Sequence, residues 1–543
     1  MTHSPGRTSP GRLIAIVLVA ALAALPAAAQ ELNVVEKTLP NGMKLLMVPR
    51  HDVPTISCGW LARVGSANER PGITGLAHLF EHMMFKGSKT IGTKNAQRDL
   101  ELNALQDQVQ IEIRKEMSIL REKQRRGEIA NMMDPAVRTP RLQSLLADFD
   151  KLVSEQRDLI VKDEMDKIYQ SAGATGLNAS TSPDRTFYIV GIPSNKLELW
   201  MWIESDRLAN PVFREFYSER NVILEERRQT LESQPGGLVD EAFNAMTWMA
   251  PPYNWEVIGW PSDISQVTRE QANDFFATYY APNNLTAILV GDFDPDKAFA
   301  LAQKYLGRIP ANPAGAPEVV TLEPAQPAEQ RMVAEAEMTP SVELAFKSVP
   351  AVHKDAAALQ VLSVILGGAP MTGRPGMGMQ RPPSGRLYRS LVLDKKAATR
   401  TSASARGMKY GGLFYANATP APGRRPEELE PLLLAELEKV VKESVTEDEL
   451  KRAKNQIHVA NYSRLESNAG VRESLASAEA VGTYQDLLDA PKKIDAVTAA
   501  DVQRVAKQYF TKENRNVLTI SRKGAPGGAP MRRGMPPAAE VKP

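Results

Sequence analysis

The sequence predicts an α+β protein of two homologous, duplicated domains, with a long helical hairpin inserted in the first domain. Three observations support this prediction. The pattern of residues 267–288 recurs without a gap at residues 497–518, strand-like and helix-like runs alternate in both halves, and residues 98–168 are highly charged with apolar positions at helical spacing. A content of 43% hydrophobic and 24% charged residues over 543 positions is typical of globular proteins.

The composition excludes several classes of protein, namely disordered chains, collagens and polytopic membrane proteins. The net charge of +2, from 66 basic and 64 acidic side chains, gives no electrostatic footprint for nucleic acid. The single cysteine, Cys58, excludes an internal disulfide. It lies in a strand-like run, where we expect a buried thiol.

Residues 1–29 have the pattern of a secretory signal peptide. Arg7 and Arg12 precede an apolar run over residues 13–25, and three alanines follow before Gln30. At about 13 residues the run is too short to span a membrane comfortably. A mitochondrial presequence is the alternative, but the run has no polar face. We therefore expect a protein secreted across the inner membrane to the periplasm, with no stable membrane anchor after cleavage.

The first domain is expected over residues 31–310, and it alternates strands with helices. The hairpin turn signal Asn41-Gly42 separates its first two strands. The predicted strands are 34–39, 43–48, 56–64, 186–191 and 285–290. The predicted helices begin near Ile73 or cover 194–207, 213–232 and 268–280.

Residues 98–168 form the predicted helical insertion of this domain. Their apolar positions keep helical spacing on both sides of Pro135 and Pro140. The simplest structure is an antiparallel helical hairpin with its turn near residues 127–140. A solvated structural arm and a docking or lid element both fit this pattern.

The second domain is expected over residues 329–522, after a linker at residues 311–328 that is rich in Ala, Pro and Glu. It ends on the repeated helix, turn and strand. Residues 367–385 are rich in Gly, Pro and Met and predict a flexible surface loop. The tail at residues 523–543 is rich in Gly and Pro and is predicted to be disordered.

Three side chains on the helix after Gly72 are arranged to hold and use a metal. His78 and His82 are four residues apart on one helix face, and Glu81 lies beside them, while the apolar residues lie on the opposite side. Two imidazoles in this arrangement bind zinc, and the intervening carboxylate can act on a water molecule without ligating the metal. Two ordinary core or surface histidines are the alternative interpretation.

A catalytic zinc also needs a third protein ligand and an open coordination position. The best candidate lies in a later helix, where Glu219, Ile223 and Glu226 share one stripe with Val222. Carboxylates on an apolar stripe are costly to bury without a partner, and a metal would supply one. Glu225 points toward the polar face, so Glu226 is the preferred ligand, with a partly exposed acidic helix as the alternative. The histidines with no partner pattern, expected to be structural or at the surface, are His51, His353 and His458.

These motifs resemble those of the pitrilysin/insulinase family of zinc peptidases, which includes the mitochondrial processing peptidase. Residues 75–87 resemble the zinc helix of the family, residues 219–226 its downstream ligand segment, and residues 280–295 its recurrent end-of-domain strand. Residues 384–388 resemble the matching loop of its second domain. The resemblance covers residues 33–522 and implies two duplicated sandwich domains, each an antiparallel-rich sheet flanked by helices.

The resemblance also implies a role for each residue of the motif. His78, His82 and Glu226 are the implied ligands of one Zn2+ per chain. Glu81 is the implied general base, and Glu219 is an implied supporting carboxylate near the metal.

Two further features follow from the same comparison of motifs. Asn178 and Ala179 match the family's edge strand, against which a peptide substrate lies. Glu226 follows the histidines at a longer spacing than is usual in the family, and the insertion at residues 98–168 accounts for the difference.

One departure from the family bears on catalysis. Members carry an Arg and a Tyr after the loop matching residues 384–388, and these bind the substrate carbonyl, but the aligned positions here hold Val392 and Thr399. The chain therefore resembles the metal-bearing subunit of a two-chain zinc endopeptidase whose paralogous partner supplies the pair, with a homodimer as a further option. Peptides or unfolded segments are the expected substrates. A catalytically silent structural or chaperone-like member of the fold is the alternative.

Overall fold

The computed structural model describes residues 32–250, 252–368 and 384–523. Three predictions fall wholly or mostly outside these residues. They are the signal peptide at residues 1–29, the loop at 367–385 and the tail at 523–543. In the described part of the chain, no helix is both long enough and apolar enough to cross a membrane.

Eleven strands in the described residues form two sheets. The strands are β1 (Val35–Thr38), β2 (Lys44–Pro49), β3 (Thr55–Ala62), β4 (Thr175–Thr181), β5 (Thr186–Pro193), β6 (Leu285–Gly291), β7 (Gln330–Ala336), β8 (Ser341–Ser348), β9 (Ala398–Gly407), β10 (Gly412–Pro420) and β11 (Arg515–Arg522). The first sheet has the order β1-β2-β6-β3-β5-β4, and the second has the order β7-β11-β8-β10-β9.

Helices accompany both sheets, so the predicted α+β class is confirmed. The helices are α1 (Leu76–Met83), α2 (Ala96–Arg125), α3 (Pro140–Leu159), α4 (Glu164–Ser171), α5 (Leu197–Ala209), α6 (Phe216–Arg227), α7 (Gly237–Thr247), α8 (Pro261–Gln266), α9 (Arg269–Tyr279), α10 (Pro295–Tyr305), α11 (Ala356–Gly367), α12 (Glu430–Lys442), α13 (Glu447–Leu465), α14 (Asn468–Val481), α15 (Tyr484–Ala496) and α16 (Ala499–Tyr509). Residues 311–329, between the two sheets in sequence, contain neither helix nor strand.

The first sheet begins with the predicted hairpin. Asn41-Gly42 joins β1 to β2, and Gly42 has a φ of 87°, a left-handed conformation that costs glycine little. Successive side chains along each strand of this sheet point to its two opposite faces. One face packs against α1, α5 and α9 in a core that contains Cys58, Trp60 and Phe80. Cys58 is fully buried, as predicted.

The repeated segment occupies the same place in both sheets. β6 pairs in parallel with β2 and antiparallel with β3, and β11 pairs in parallel with β7 and antiparallel with β8. The helix before each of these strands begins with a capping box, from Thr268 and Gln271 in α9 and from Thr498 and Asp501 in α16. The repeat in the sequence therefore corresponds to two homologous folding units.

Each unit covers a sheet face of the other. Helix α14 of the second unit packs Val471 and Leu475 on the first sheet, against Phe187 and Ile288. Helix α7 of the first unit packs Phe243 on the second sheet, beside strands β8 and β11. This reciprocal packing joins the two units into one body.

The predicted insertion is an antiparallel pair of helices, α2 and α3. Its outer part has a small apolar core of its own around Ile113, Leu120 and Leu142. At its base the contacts are polar instead. The buried pair Asp99 and Arg214 lies there, with Nε donating to Oδ2 at 2.9 Å. The hairpin is thus fixed to the first unit through buried hydrogen bonds.

The helix expected from Ile73 begins later, at Leu76. Gly72 and Gly75 have φ values of 95° and 85°, so residues 72–75 form turns rather than a helical turn. The carboxylate of Glu69 accepts hydrogen bonds from the amides of Gly75 at 2.9 Å and Ala77 at 2.7 Å. These bonds satisfy two amides at the start of the helix and fix the direction in which α1 leaves the turn.

Candidate metal centre

Helix α1 presents two histidines on the face opposite its buried apolar side. Leu79, Phe80 and Met83 are at most 1% exposed and anchor the helix in the core. The His78 and His82 rings lie on the other side, with centroids 5.0 Å apart. The anchored helix therefore holds both imidazoles toward helix α6.

Helix α6 brings a carboxylate to these rings from a distant part of the sequence. His78 Nε2 lies 3.7 Å from Glu226 Oε1, and His82 Nε2 lies 3.4 Å from Glu226 Oε2. One ligand atom of each residue lies within 4.8 Å of the other two. Across the described residues, this is the only group of three or more His, Cys, Asp or Glu side chains arranged to hold a metal.

The three side chains fit a zinc ion. Tetrahedral zinc with bonds of about 2.0–2.1 Å places its ligand atoms roughly 3.3 Å apart, close to the two distances from Glu226. Burial and the neighbouring His82 lower the pKa of His78 to about 4, so His78 is neutral at physiological pH and its lone pair is available. The His78 and Glu226 side chains are 12% and 36% exposed, so one side of the cluster is open to solvent.

Glu219 contacts His82 at the ring nitrogen that faces away from Glu226. Its Oε2 lies 3.3 Å from His82 Nδ1, and its Oε1 accepts from Lys86 Nζ at 2.5 Å. Burial disfavours charge on His82, but the hydrogen bond to Glu219 and its negative charge raise the pKa of His82. Hydrogen bonds from His82 and Lys86 likewise outweigh burial and hold the pKa of Glu219 below its ordinary value. A proton on Nδ1 leaves Nε2 free to ligate.

Glu81 lies beside the histidines and is held by the edge strand of the first sheet. The hydroxyl of Thr181, the last residue of β4, donates to Glu81 Oε2 at 2.6 Å. Burial raises the pKa of Glu81, although this hydrogen bond opposes the rise. A carboxylate with a raised pKa is suited to exchanging a proton with water near neutral pH.

Two residues that hold the site are absent from the sequence prediction. Lys86 lies four residues after His82, just beyond α1, so a helical projection could have indicated it. Thr181 is separated from Glu81 by the whole insertion, and only the register of β4 brings it there. For Thr181 no local pattern gives a signal.

Strand β4 is an edge strand of the first sheet and pairs with β5 on one side. Asn178 is exposed and Ala179 is half-buried on this strand. The structure thus places both residues on the free edge that ends at Thr181, next to Glu81.

The remaining candidate residues lie elsewhere. Glu225 is exposed and binds Arg228, with Arg228 Nε donating to Oε2 at 2.7 Å. Val392 packs against the core of the second unit, and Thr399 lies exposed on β9. Within the described residues, the histidines outside the cluster each lie beside an aspartate, in the pairs His51–Asp292, His353–Asp355 and His458–Asp495.

Two family models match this chain. The model described as insulinase, peptidase family M16, matches residues 46–170. The model described as peptidase M16 inactive domain matches residues 266–457. Together they cover more than half of the chain, and the first includes both histidines and Glu81.

Named relatives align over most of the chain. Zinc protease PqqE of Helicobacter pylori is 26% identical over 479 residues, which are 87% of this chain and 89% of the relative. The mitochondrial-processing peptidase subunit beta of Bos taurus is 22% identical over 496 residues, which are 89% of this chain and 83% of the relative.

Solved structures share the fold. The crystal structure of a protease from Helicobacter pylori has a TM-score of 0.70 and 24% identity, and the match covers 90% of this chain and 99% of that one. The periplasmic protease PqqL from Escherichia coli has a TM-score of 0.64 and 18% identity, over 92% of this chain and 48% of that one. Taken with the matching family models and the relatives named zinc proteases, these similarities show that the chain belongs to peptidase family M16, the insulinase or pitrilysin family.

Proposed function

We propose that the chain is a zinc-dependent endopeptidase that hydrolyses peptides or unfolded segments. His78, His82 and Glu226 would hold one zinc ion per chain. The observation that carries this proposal is the convergence of their ligand atoms within 4.8 Å, beside a carboxylate that is not part of the ligand set. The relatives named zinc proteases support the same chemistry.

The side chains around the proposed metal site would each have a different role in hydrolysis. When bound, zinc supplies Lewis-acid polarisation of the scissile carbonyl and of a water molecule. Glu81 Oε1 is free to accept the proton of the attacking water, since Thr181 holds Oε2. Glu81 then returns this proton to the nitrogen of the leaving amine. Glu219 keeps the His82 ring oriented throughout.

The free edge of β4 supports binding of an extended substrate. A peptide that adds to this edge gains main-chain hydrogen bonds with limited dependence on its sequence. Asn178 and Ala179 would contact it, and Thr181 at the end of the strand would bring it beside Glu81. The predicted signal peptide and a relative described as a periplasmic protease support a periplasmic location.

A second chain is proposed to complete the enzyme. This chain matches only 48% of the length of PqqL, and one relative is named as a subunit of a peptidase. Val392 and Thr399 stand where the family carries its Arg and Tyr, so a paralogous subunit would supply this pair. A homodimer is the second option, and a catalytically silent structural protein is the alternative function.

The test is an assay of the zinc-loaded chain without residues 1–29 against a mixed peptide library, with Glu81→Gln as the matched control. Cleavage that disappears in the variant, while one zinc stays bound, supports the endopeptidase and makes a partner unnecessary. If neither protein cleaves although both bind zinc, the assay is repeated with the paralogous subunit. Equal cleavage by both proteins would contradict the role of Glu81.

A further inference from the structure

The turn that joins β4 to β5 is held by residues far from it in the sequence. Asp184 in this turn is 6% exposed, and both of its carboxylate oxygens accept hydrogen bonds. The Tyr253 hydroxyl donates to Oδ1 at 2.8 Å, and the Lys409 amide donates to Oδ2 at 3.1 Å. Lys409 belongs to the β9–β10 turn of the second unit, so the two units meet at this carboxylate.

Tyr253 connects the same two turns a second time. Its hydroxyl oxygen accepts from the Tyr410 amide at 3.0 Å while it donates to Asp184. Its ring is buried against Trp248, with centroids 5.3 Å apart, in a cluster that also contains Met408 and Leu413. The phenol is therefore fixed on both sides and acts as a rigid bridge.

The β4–β5 turn lies next to Thr181, the residue that donates to Glu81. Thr181 is three residues before Asp184, and it pairs with Thr186 across the hairpin. The first unit packs closely on the turn as well, since the Ala67 amide donates to the Pro183 carbonyl at 2.9 Å. Movement of the turn would therefore move the Thr181 hydroxyl relative to Glu81 Oε2.

We propose that the second unit positions the general base of the first unit. The β9–β10 turn, through Asp184 and Tyr253, fixes the end of β4 and thus the Thr181–Glu81 hydrogen bond. This inference rests on the proposed function, because it assigns Asp184 and Tyr253 as positioning residues for the same reaction. It gives the second unit, which carries no zinc motif, an indirect part in catalysis through the placement of Glu81.

The expected effect is on turnover. Small errors in the placement of a reacting group can cost up to about 100-fold in rate. Tyr253→Phe removes the donor to Asp184 and keeps the packing of the ring. We expect kcat to fall about tenfold or more in this variant, with KM and zinc affinity unchanged.

The chain offers a matched control at the same interface. Glu479 of α14 is buried and binds Arg63 and also Lys44, whose Nζ lies 3.1 Å from Oε2. These contacts join the same two units and involve no residue of the β4–β5 turn. Glu479→Gln should therefore leave kcat unchanged.

Two variants of Thr181 test the last step of the proposed connection. Thr181→Ser keeps the hydroxyl and should retain most of kcat, whereas Thr181→Val removes it and should reproduce the loss seen in Tyr253→Phe. A purely structural role for the threonine would not distinguish the hydroxyl from an isosteric methyl group in this way.

The experiment has two parts. Peptide turnover is measured with the zinc-loaded chain, and amide hydrogen exchange is measured with the metal-free full chain. We expect faster amide exchange across residues 175–187, relative to the rest of the first sheet, in Tyr253→Phe and in Asp184→Asn, but no such local increase in Glu479→Gln. Unchanged exchange in this hairpin, or an equal loss of kcat in Tyr253→Phe and Glu479→Gln, would overturn the proposal. If the wild-type chain hydrolyses no peptide, alone or with the paralogous subunit, the proposed function fails, and the exchange data alone decide whether the second unit holds the turn.

Discussion

His82 is oriented by polar contacts from Glu219, which in turn is held by Lys86. The Nζ of Lys86 donates to Glu219, and Glu219 accepts from His82 Nδ1. Such outer contacts fix the tautomer and the orientation of a ligating ring, and they commonly account for about 10–100-fold in metal affinity. Lys86 thus contributes to the metal centre without contacting the metal.

Removal of this ammonium should weaken zinc binding. We expect Lys86→Met to lower zinc affinity about 10–100-fold, because Glu219 loses the donor that keeps its charge and position. Competition with a chromogenic chelator measures the affinity. Lys89→Met, at an exposed position of the same loop, serves as the control. Equal affinities for the two variants would show that Lys86 does not support the site.

Glu343 gives a pH-dependent contribution to stability. Burial and the negative charge of Asp240 raise its pKa from 4.5 to about 7. Between these pH values the unfolded chain has lost the proton and the folded chain retains it, so stability falls as pH rises through this window. Above pH 7 the folded state carries an unfavourable buried charge that costs about 1–3 kcal/mol.

A neutral isostere should remove that cost. We expect Glu343→Gln to match wild-type stability near pH 4.5 and to exceed it by about 1–3 kcal/mol at pH 8. Urea unfolding at a series of pH values measures the difference. Parallel pH profiles for the two proteins would contradict the assignment.

Helix α1 shows which features a local sequence pattern predicts and which it does not. The spacing of His78, Glu81 and His82 predicts their common face, and the structure places them there because the opposite face is apolar and buried. The start of the helix was not predictable in the same way, because it depends on Gly75 and on the carboxylate of Glu69. Backbone conformation and a capping contact from outside the helix leave no periodic signal.

The α2–α3 hairpin was predicted for a similar reason, since helical spacing persists on both sides of its prolines. Its attachment was not, because the base of the hairpin is polar. Asp99 binds Arg214, and the Gln156 amide donates to Asp99 Oδ1 at 2.8 Å. Hydropathy patterns identify apolar contacts, and they give no information about a buried polar network.

This network should dominate the stability of the hairpin base. We expect Asp99→Asn to destabilise the chain by about 3 kcal/mol, because it leaves the buried guanidinium of Arg214 without its counter-charge. Asp148→Asn, in the exposed part of α3, should have little effect. Chemical unfolding of the two variants measures both values. A loss in Asp99→Asn no larger than in Asp148→Asn would contradict this account.

The two units of the molecule were predictable as a pair, because the repeat at residues 267–288 and 497–518 is visible in the sequence. Their mutual packing was not. Amphipathic patterns show that α7 and α14 each have an apolar face, but they do not say which sheet that face covers. The structure shows that each helix crosses to the other unit.

The ion pairs of Glu479 should stabilise this joint packing. Its carboxylate is fully buried and contacts Lys44 and Arg63 of the first unit. We expect Glu479→Gln to lower the free energy of unfolding by about 3 kcal/mol and to leave the transition cooperative. Calorimetry measures this change. A separate early transition of one unit would show that the two units are not one cooperative body.

The most direct test of the metal centre is a zinc titration of four proteins in parallel. The wild-type chain, Glu81→Gln and Glu225→Gln should each bind one zinc ion with similar affinity, because neither substituted residue belongs to the ligand set. Glu226→Gln should bind zinc more than about tenfold more weakly. Zinc binding by Glu226→Gln as tight as that of the wild type, or a loss of binding in Glu225→Gln instead, would contradict the assignment of the metal centre.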